Sequence, residues 1–110
     1  MSYLDRIQHL KNYIESEPDN PFNYYALGLE IKELDPSEAG KMFDYVLTTF
    51  PNYLPVYFPA AHFFFERDNS QKAREIFEKG IELATEMREE KTLKELKNAF
   101  QNFLFETDLD

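Results

Sequence analysis

The chain repeats itself at an interval of 34 residues. Ala39 and Phe43, four residues apart, recur as Ala73 and Phe77, and this spacing places both members of each pair on one face of a helix. A repeated unit of this length cannot bury its apolar face alone, so neighbouring units must stack to form a core. The 110 residues accommodate two full helix pairs with half a repeat at each end.

Apolar residues recur at steps of three and four residues in almost every segment, as in helices that bury one face. Strict alternation persists nowhere. The chain has 11 Phe and 7 Tyr, but its only valines are Val46 and Val56, and a core so poor in β-branched residues is not typical of a sheet. The pattern therefore predicts an all-α fold.

Capping signals and prolines set the predicted helix boundaries. Asp35, Pro36 and Glu38 form the clearest helix start, with an N-cap residue, a first-turn proline and a glutamate that reaches back to the cap. Pro51 ends that helix, and Pro59 lies inside the next, where we expect a kink or a loosened turn. The predicted single domain at 1–110 contains an N-terminal helix at 3–16, helix pairs at 21–50 and 54–85, a capping helix at 90–106 and an acidic tail at 107–110.

Further matched positions lie upstream of the two copies. They are Tyr24, Leu27, Gly28 and Ile31 in the first copy, and Tyr57, Ala60, Ala61 and Phe64 in the second. With Ala-x3-Phe and the closing prolines, they resemble the tetratricopeptide repeat, whose 34-residue signature is W-x2-L-G-x2-Y, then A-x3-F, then P. The resemblance covers residues 21–84 well, and small stand-alone bacterial members of the family look similar throughout the chain. It implies an α-α superhelix, a solenoid of two pairs with an N-terminal half-repeat helix and a C-terminal capping helix.

Composition argues against several classes of partner. The formal net charge is -9, from 12 Lys and Arg against 21 Asp and Glu, and an acidic surface repels nucleic acids and anionic membranes. No apolar run approaches the roughly 20 residues that a membrane-spanning helix needs. We therefore expect a cytoplasmic protein that binds neither nucleic acid nor membrane.

No residues show a catalytic or metal-binding spacing. His9 and His62 lie far apart in the chain and belong to no ligand motif. Glycine-rich phosphate loops and nucleophile motifs are also missing. The carboxylates of Glu86, Glu89 and Glu90 are explained most simply as a solvated surface. We predict a protein that is not an enzyme and that uses no metal and no cofactor.

The resemblance also implies where a protein partner binds. In the family, the first helices of successive pairs line a concave groove that holds peptides or helices. The residues aligned with that face are Phe22, Tyr25, Leu29, Phe58, His62, Phe65, Lys94 and Asn98. The expected function is a non-catalytic protein-interaction module or adaptor with an aromatic-lined groove, in which Lys94 and Asn98 hydrogen-bond the ligand. Where the family's clamp for acidic C-terminal tails has Lys and Asn, this chain has Tyr25 and Leu29, so binding of such tails is not inferred.

Two alternatives stay open at this stage. The aromatic residues of the groove are either exposed together or partly core, because Phe63, Phe64 and Phe65 cannot all face one way on a helix and two of the three should be buried. The apolar surface, together with Phe103 and Phe105, serves either a foreign partner or a homodimer that scaffolds itself or a larger assembly.

Overall fold

The computed structural model describes residues 2–107, and its regular structure over that range is entirely helical. The helices are α1 (Tyr3–Ser16), α2 (Pro21–Ile31), α3 (Pro36–Thr49), α4 (Tyr57–Glu66), α5 (Ser70–Met87) and α6 (Glu90–Thr107), with a 3₁₀ turn at Leu54–Val56. The all-α prediction is confirmed. Of the predicted acidic tail, Thr107 ends α6 and residues 108–110 lie outside the described range.

Side-chain caps begin four of the helices. Ser2, Asn20, Asp35 and Asn69 each accept a hydrogen bond, over 3.1 to 3.4 Å, from a backbone N–H in the first turn of α1, α2, α3 and α5 respectively. Each cap satisfies one N–H that has no partner within its own helix. At its other end α2 stops at Ile31, and the Ile31 carbonyl accepts hydrogen bonds from the N–H groups of Leu34 and Asp35 in the turn that follows.

Pro59 accounts for the form of the next helical segment. A 3₁₀ turn at Leu54–Val56 comes first, and the α-helix begins only at Tyr57. Pro59 is then the third residue of α4, in the first turn, where a backbone N–H has no helical partner in any case. The predicted loosened turn is confirmed, and it lies on the N-terminal side of the proline.

The chain forms two compact units, Met1–Val56 and Tyr57–Asp110. In the first unit, α1 packs on α2 and α2 packs on α3. Gly28 and Phe43 are both buried here, and a Cβ on the glycine would lie 3.0 Å from the phenylalanine ring. The small residue therefore lets the ring lie directly on the backbone of α2.

The first helix is held mainly through its polar groups and half-buried side chains, since none of its residues is buried. The hydroxyl of Tyr3 donates a hydrogen bond to the backbone carbonyl of Glu30, and the guanidinium of Arg6 pairs with the Glu30 carboxylate. Both contacts attach the start of α1 to the end of α2.

In the second unit, α4 packs on α5 and α5 packs on α6. Ala61 of α4, Ala73 of α5 and Leu96 of α6 are completely buried, and Phe77 of α5 is almost completely buried. Gly80 marks a closer approach still, because a Cβ there would lie 2.8 Å from Cβ of Tyr57.

Within residues 2–107, no helix has the length and apolar character to cross a membrane. The single-domain organisation over residues 1–110 stays a prediction.

Candidate binding groove

A cavity of about 450 Å³ lies between α4 and α6 in the second unit. We call it the α4–α6 groove. The lining comprises Phe58, His62 and Phe65 from α4, and Glu95, Asn98, Ala99, Asn102, Phe103 and Glu106 from α6. Each of these residues lies three or four positions from another lining residue of its own helix, which places them along one face. The groove therefore has an aromatic wall and a wall of amides and carboxylates.

Aromatic rings form a continuous floor under this groove. Phe77 of α5 is only 1% exposed, and its ring centroid lies 5.4 Å from that of Phe103 and 6.2 Å from that of His62. Phe65 meets Phe103 at 5.1 Å, and Phe58 meets His62 at 4.7 Å. Rings at these separations attract one another beyond the effect of burial. The floor is therefore held in place before any ligand binds, which lowers the entropy lost on binding.

The aromatic residues of α4 divide between core and surface. Phe63 and Phe64 are buried, whereas Phe65 is half-buried and Phe58 is 38% exposed. The expectation that two of the three consecutive phenylalanines would be buried is confirmed. Phe58 is the large apolar side chain that the groove leaves most accessible on α4.

The polar wall differs from the one expected. Lys94 is exposed and lies outside the lining, while its neighbour Glu95 lies within it. Lys94 lies four positions before Asn98, the spacing of residues on one helix face, so it borders the lining on the side of Asn98. Glu106, eleven positions beyond Glu95, completes the same stripe. The cavity is lined on this side by two carboxylates and by the amides of Asn98 and Asn102, and a contact of Lys94 with a ligand stays a prediction.

The sequence offers these carboxylates as one of two candidate faces of α6. Glu95, Ala99 and Glu106 lie at three- and four-residue steps from Asn98 and Asn102, the spacing that defines a helix face. That spacing alone does not separate this stripe from the neighbouring one that contains Lys94. The choice between the two depends on how α6 is rotated against α4.

The remaining predicted residues belong to the first unit. Phe22 is 52% exposed, and its ring centroid lies 6.4 Å from that of Tyr25, which in turn lies 5.8 Å from that of Tyr53. Tyr25 and Leu29 are half-buried. Burial raises the pKa of Tyr25 above its usual value of 10.0, so its phenol is neutral at physiological pH. The structure thus brings Phe22 and Tyr25 together within one unit, and the α4 aromatics and Asn98 together within the other.

In the part of the chain that the structure describes, no three His, Cys, Asp or Glu side chains are grouped so that they could hold a metal ion. What the α4–α6 groove supplies is apolar contact area, amide hydrogen-bonding groups and negative charge.

Comparison with known proteins identifies the fold. No protein-family model matches the sequence, and no curated protein matches it. The solution NMR structure of a tetratricopeptide repeat domain protein from Salinibacter ruber is similar, with 31% identity, a TM-score of 0.73, and coverage of 79% of this chain and 89% of that chain. A crystal structure of a tetratricopeptide repeat domain protein from Salinibacter ruber has 29% identity, a TM-score of 0.72, and coverage of 84% and 100% respectively.

These likenesses agree with the internal repeat and with the paired helices. Each full pair has a small residue, Gly28 or Ala61, in its first helix and a buried Ala-x3-Phe in its second helix. The predicted all-α fold of the tetratricopeptide type is confirmed. The chain belongs to the tetratricopeptide repeat family.

Proposed function

We propose that this chain is a non-catalytic protein-binding module whose α4–α6 groove holds a segment of a partner protein. Membership of the tetratricopeptide repeat family supports a general role in protein–protein interaction. The observation that carries the specific proposal is the exposed ring of Phe58 beside an aromatic floor whose deepest rings, Phe77 and Phe103, are buried. An aromatic surface of this kind is a common anchor point in interfaces.

The size and lining of the groove suit a peptide side chain. Its volume of about 450 Å³ falls within the range of about 300–1,000 Å³ found for ligand pockets. Such pockets are mostly apolar, with a few polar groups that orient the ligand. Here an apolar side chain of the partner would rest on Phe58, Phe65 and Phe103, and it would exclude water from them.

The amides supply the orienting groups. Asn98 and Asn102 are one helical turn apart and exposed, and each amide can both donate and accept hydrogen bonds. Side chains at this spacing lie about 5–6 Å apart, close to the distance of about 7 Å between alternate residues of an extended peptide. The pair therefore suits the backbone of an extended segment.

Self-association is the second candidate function. It is favoured by Phe105, which is 89% exposed and lies outside the groove. We place it second because a chain with a formal net charge of -9 is repelled by another copy of itself. Sedimentation over a range of concentrations tests it, and a strict monomer at high concentration removes this candidate.

Two phenylalanine variants test the groove. We expect Phe58→Ser to abolish recovery of the partner in an affinity purification from the native host, followed by mass spectrometry and a direct binding assay with the recovered protein. Phe105→Ser is the matched control, since it removes a more exposed ring of the same unit outside the groove. Far-UV circular dichroism checks that both variants remain helical.

The pattern of loss decides between the candidates. Loss of the partner with Phe58→Ser alone supports the groove. Loss with Phe105→Ser alone moves the binding site to the exposed end of α6. Partner recovery that neither substitution reduces contradicts the proposed function.

A further inference from the structure

The α4–α6 groove is negatively charged at both ends of its α6 wall. Glu95 and Glu106 line it, and no lysine or arginine is present among its lining residues. Within residues 2–107, neither carboxylate forms an ion pair with a cationic side chain. Lys94 borders the groove one turn before Asn98, but it is not among the lining residues and, within residues 2–107, it forms no ion pair with either carboxylate. Both charges are therefore available to a ligand.

The distance between the carboxylates sets a length for the ligand. Eleven positions separate Glu95 from Glu106, which is about 16 Å along the axis at about 1.5 Å per residue. An extended peptide rises about 3.3 Å per residue and covers this distance in about five residues. Asn98 and Asn102 lie between the two charges, where the backbone of such a peptide would pass.

Resting on the proposed function, we propose that the partner segment is an extended basic peptide: an apolar side chain flanked by Lys or Arg residues about five positions apart. The apolar side chain occupies the aromatic floor between Phe58 and Phe103. The two cations pair with Glu95 and Glu106, and the asparagine amides bind the peptide backbone between them.

Charge complementarity favours a basic peptide over the other occupants of this groove. An acidic peptide would bring like charge to both carboxylates, and a second copy of this chain would bring a formal net charge of -9. Complementary charges at an interface mainly set specificity and the rate of association. The acidic ends of the groove thus select among apolar segments that the aromatic floor alone would accept.

A selection from a random peptide library tests the proposal without assuming a partner. Phage-displayed peptides of about 15 residues, long enough to span the groove in extended or helical form, are selected on the full chain. Peptides that also bind the Phe58→Ser variant are discarded. We expect the remaining peptides to contain an apolar residue flanked by Lys or Arg at a spacing of about five.

The possible outcomes separate the two proposals. One outcome is a set of peptides that depend on Phe58 and yet are acidic or uncharged, or have their two basic residues about eleven positions apart, as in a helix. Such peptides overturn the proposal of a basic extended ligand and leave the proposed function standing. A selection that yields no Phe58-dependent peptide contradicts both. Only Phe58-dependent basic peptides at the shorter spacing support both.

Charge-removing variants provide a second test with a selected peptide. Glu95→Gln and Glu106→Gln keep the side-chain shape, and each should weaken binding by about twofold to fivefold at low salt, the effect of one exposed ion pair. The differences should shrink as salt is added. Glu86→Gln, an exposed position of α5 outside the groove, is the control and should bind as the unmodified chain does. Equal binding by all three variants would overturn the role of the carboxylates.

Discussion

Replacing Gly80 with alanine tests the close packing of α4 against α5. Gly80 is buried within α5. A Cβ at this position would lie 2.8 Å from Cβ of Tyr57 and 3.3 Å from Cδ1 of Leu96. Real Cβ atoms do not approach other carbon atoms as closely as the first of these distances, so the substitution must displace part of the structure.

Two effects of opposite sign determine the change in stability. Alanine is favoured over glycine inside a helix by about 1 kcal/mol. Overpacking a core typically costs about 1–3 kcal/mol. Cβ of Tyr57 is bonded directly to the α4 backbone and cannot rotate away, so we expect a cost in the upper half of that range. The free energy of unfolding should therefore fall by about 1–2 kcal/mol.

Gly28→Ala is the matched comparison. It gains the same helix propensity, but its Cβ would lie 3.0 to 3.3 Å from atoms of the Phe43 ring. These ring atoms are at the far end of a side chain, and a small tilt of the ring relieves the contact. We expect the cost of that tilt to cancel the propensity gain, which leaves stability within about 0.5 kcal/mol of the unmodified chain.

Urea denaturation monitored by far-UV circular dichroism measures both variants, and its slope shows whether the substitution also alters the surface exposed on unfolding. In a thermal scan, the expected loss for Gly80→Ala lowers the melting temperature by about 4–10 °C. A rise in stability of about 1 kcal/mol, the propensity gain alone, would refute the close approach of α4 and α5. Equal changes for the two glycine variants would refute the distinction between backbone-bound and mobile neighbours.

Two further predictions concern pH and helix termination. Burial raises the pKa of Tyr24 and of Tyr57 above 10.0, so the unfolded chain deprotonates first and stability should fall as pH rises above about 10. In Tyr24→Phe, the urea midpoint should fall less steeply as pH rises. The variant should also lose about 0.5–1.5 kcal/mol of unfolding free energy, because it lacks the hydrogen bond that Tyr24 donates to the Pro18 carbonyl. An unchanged pH profile would contradict this. Arg88 ends α5 with a left-handed φ of 58°, a conformation that glycine adopts without strain. Arg88→Gly should therefore raise the free energy of unfolding by about 0.5–1 kcal/mol, measured as a higher urea midpoint. Arg74→Gly, inside the same helix, is the control and should lower stability by about 1 kcal/mol; equal signs for the two would contradict the argument.

Local chemistry made most helix boundaries predictable. α1 occupies residues 3–16 as predicted, because Ser2 caps its first turn and Pro18 follows its end. The pair of Asp35 and Pro36 likewise places the start of α3. The sequence predicts a helix from residue 54, whereas the structure has a 3₁₀ turn at Leu54–Val56 and begins α4 at Tyr57.

The candidate site was predictable on one wall and not on the other. Phe58, His62 and Phe65 follow from the repeat, because matched positions of a repeat occupy matched faces. On α6, the residues that pack inward, Leu96 and Phe103, leave a polar flank on each side of the apolar stripe. Nothing within α6 itself states which flank faces α4.

The sequence alone therefore determined the helices, the repeat and the family. These depend on caps, prolines and contacts within a turn or two, all of which are written in neighbouring residues. Only the tertiary structure decided that Glu95 and Glu106, rather than Lys94, line the α4–α6 groove. The reason is that the rotation of a helix is set by the helix it packs against, and one position of rotation is about 100°. That rotation places carboxylates in the groove wall, and they are the basis for the basic ligand proposed above.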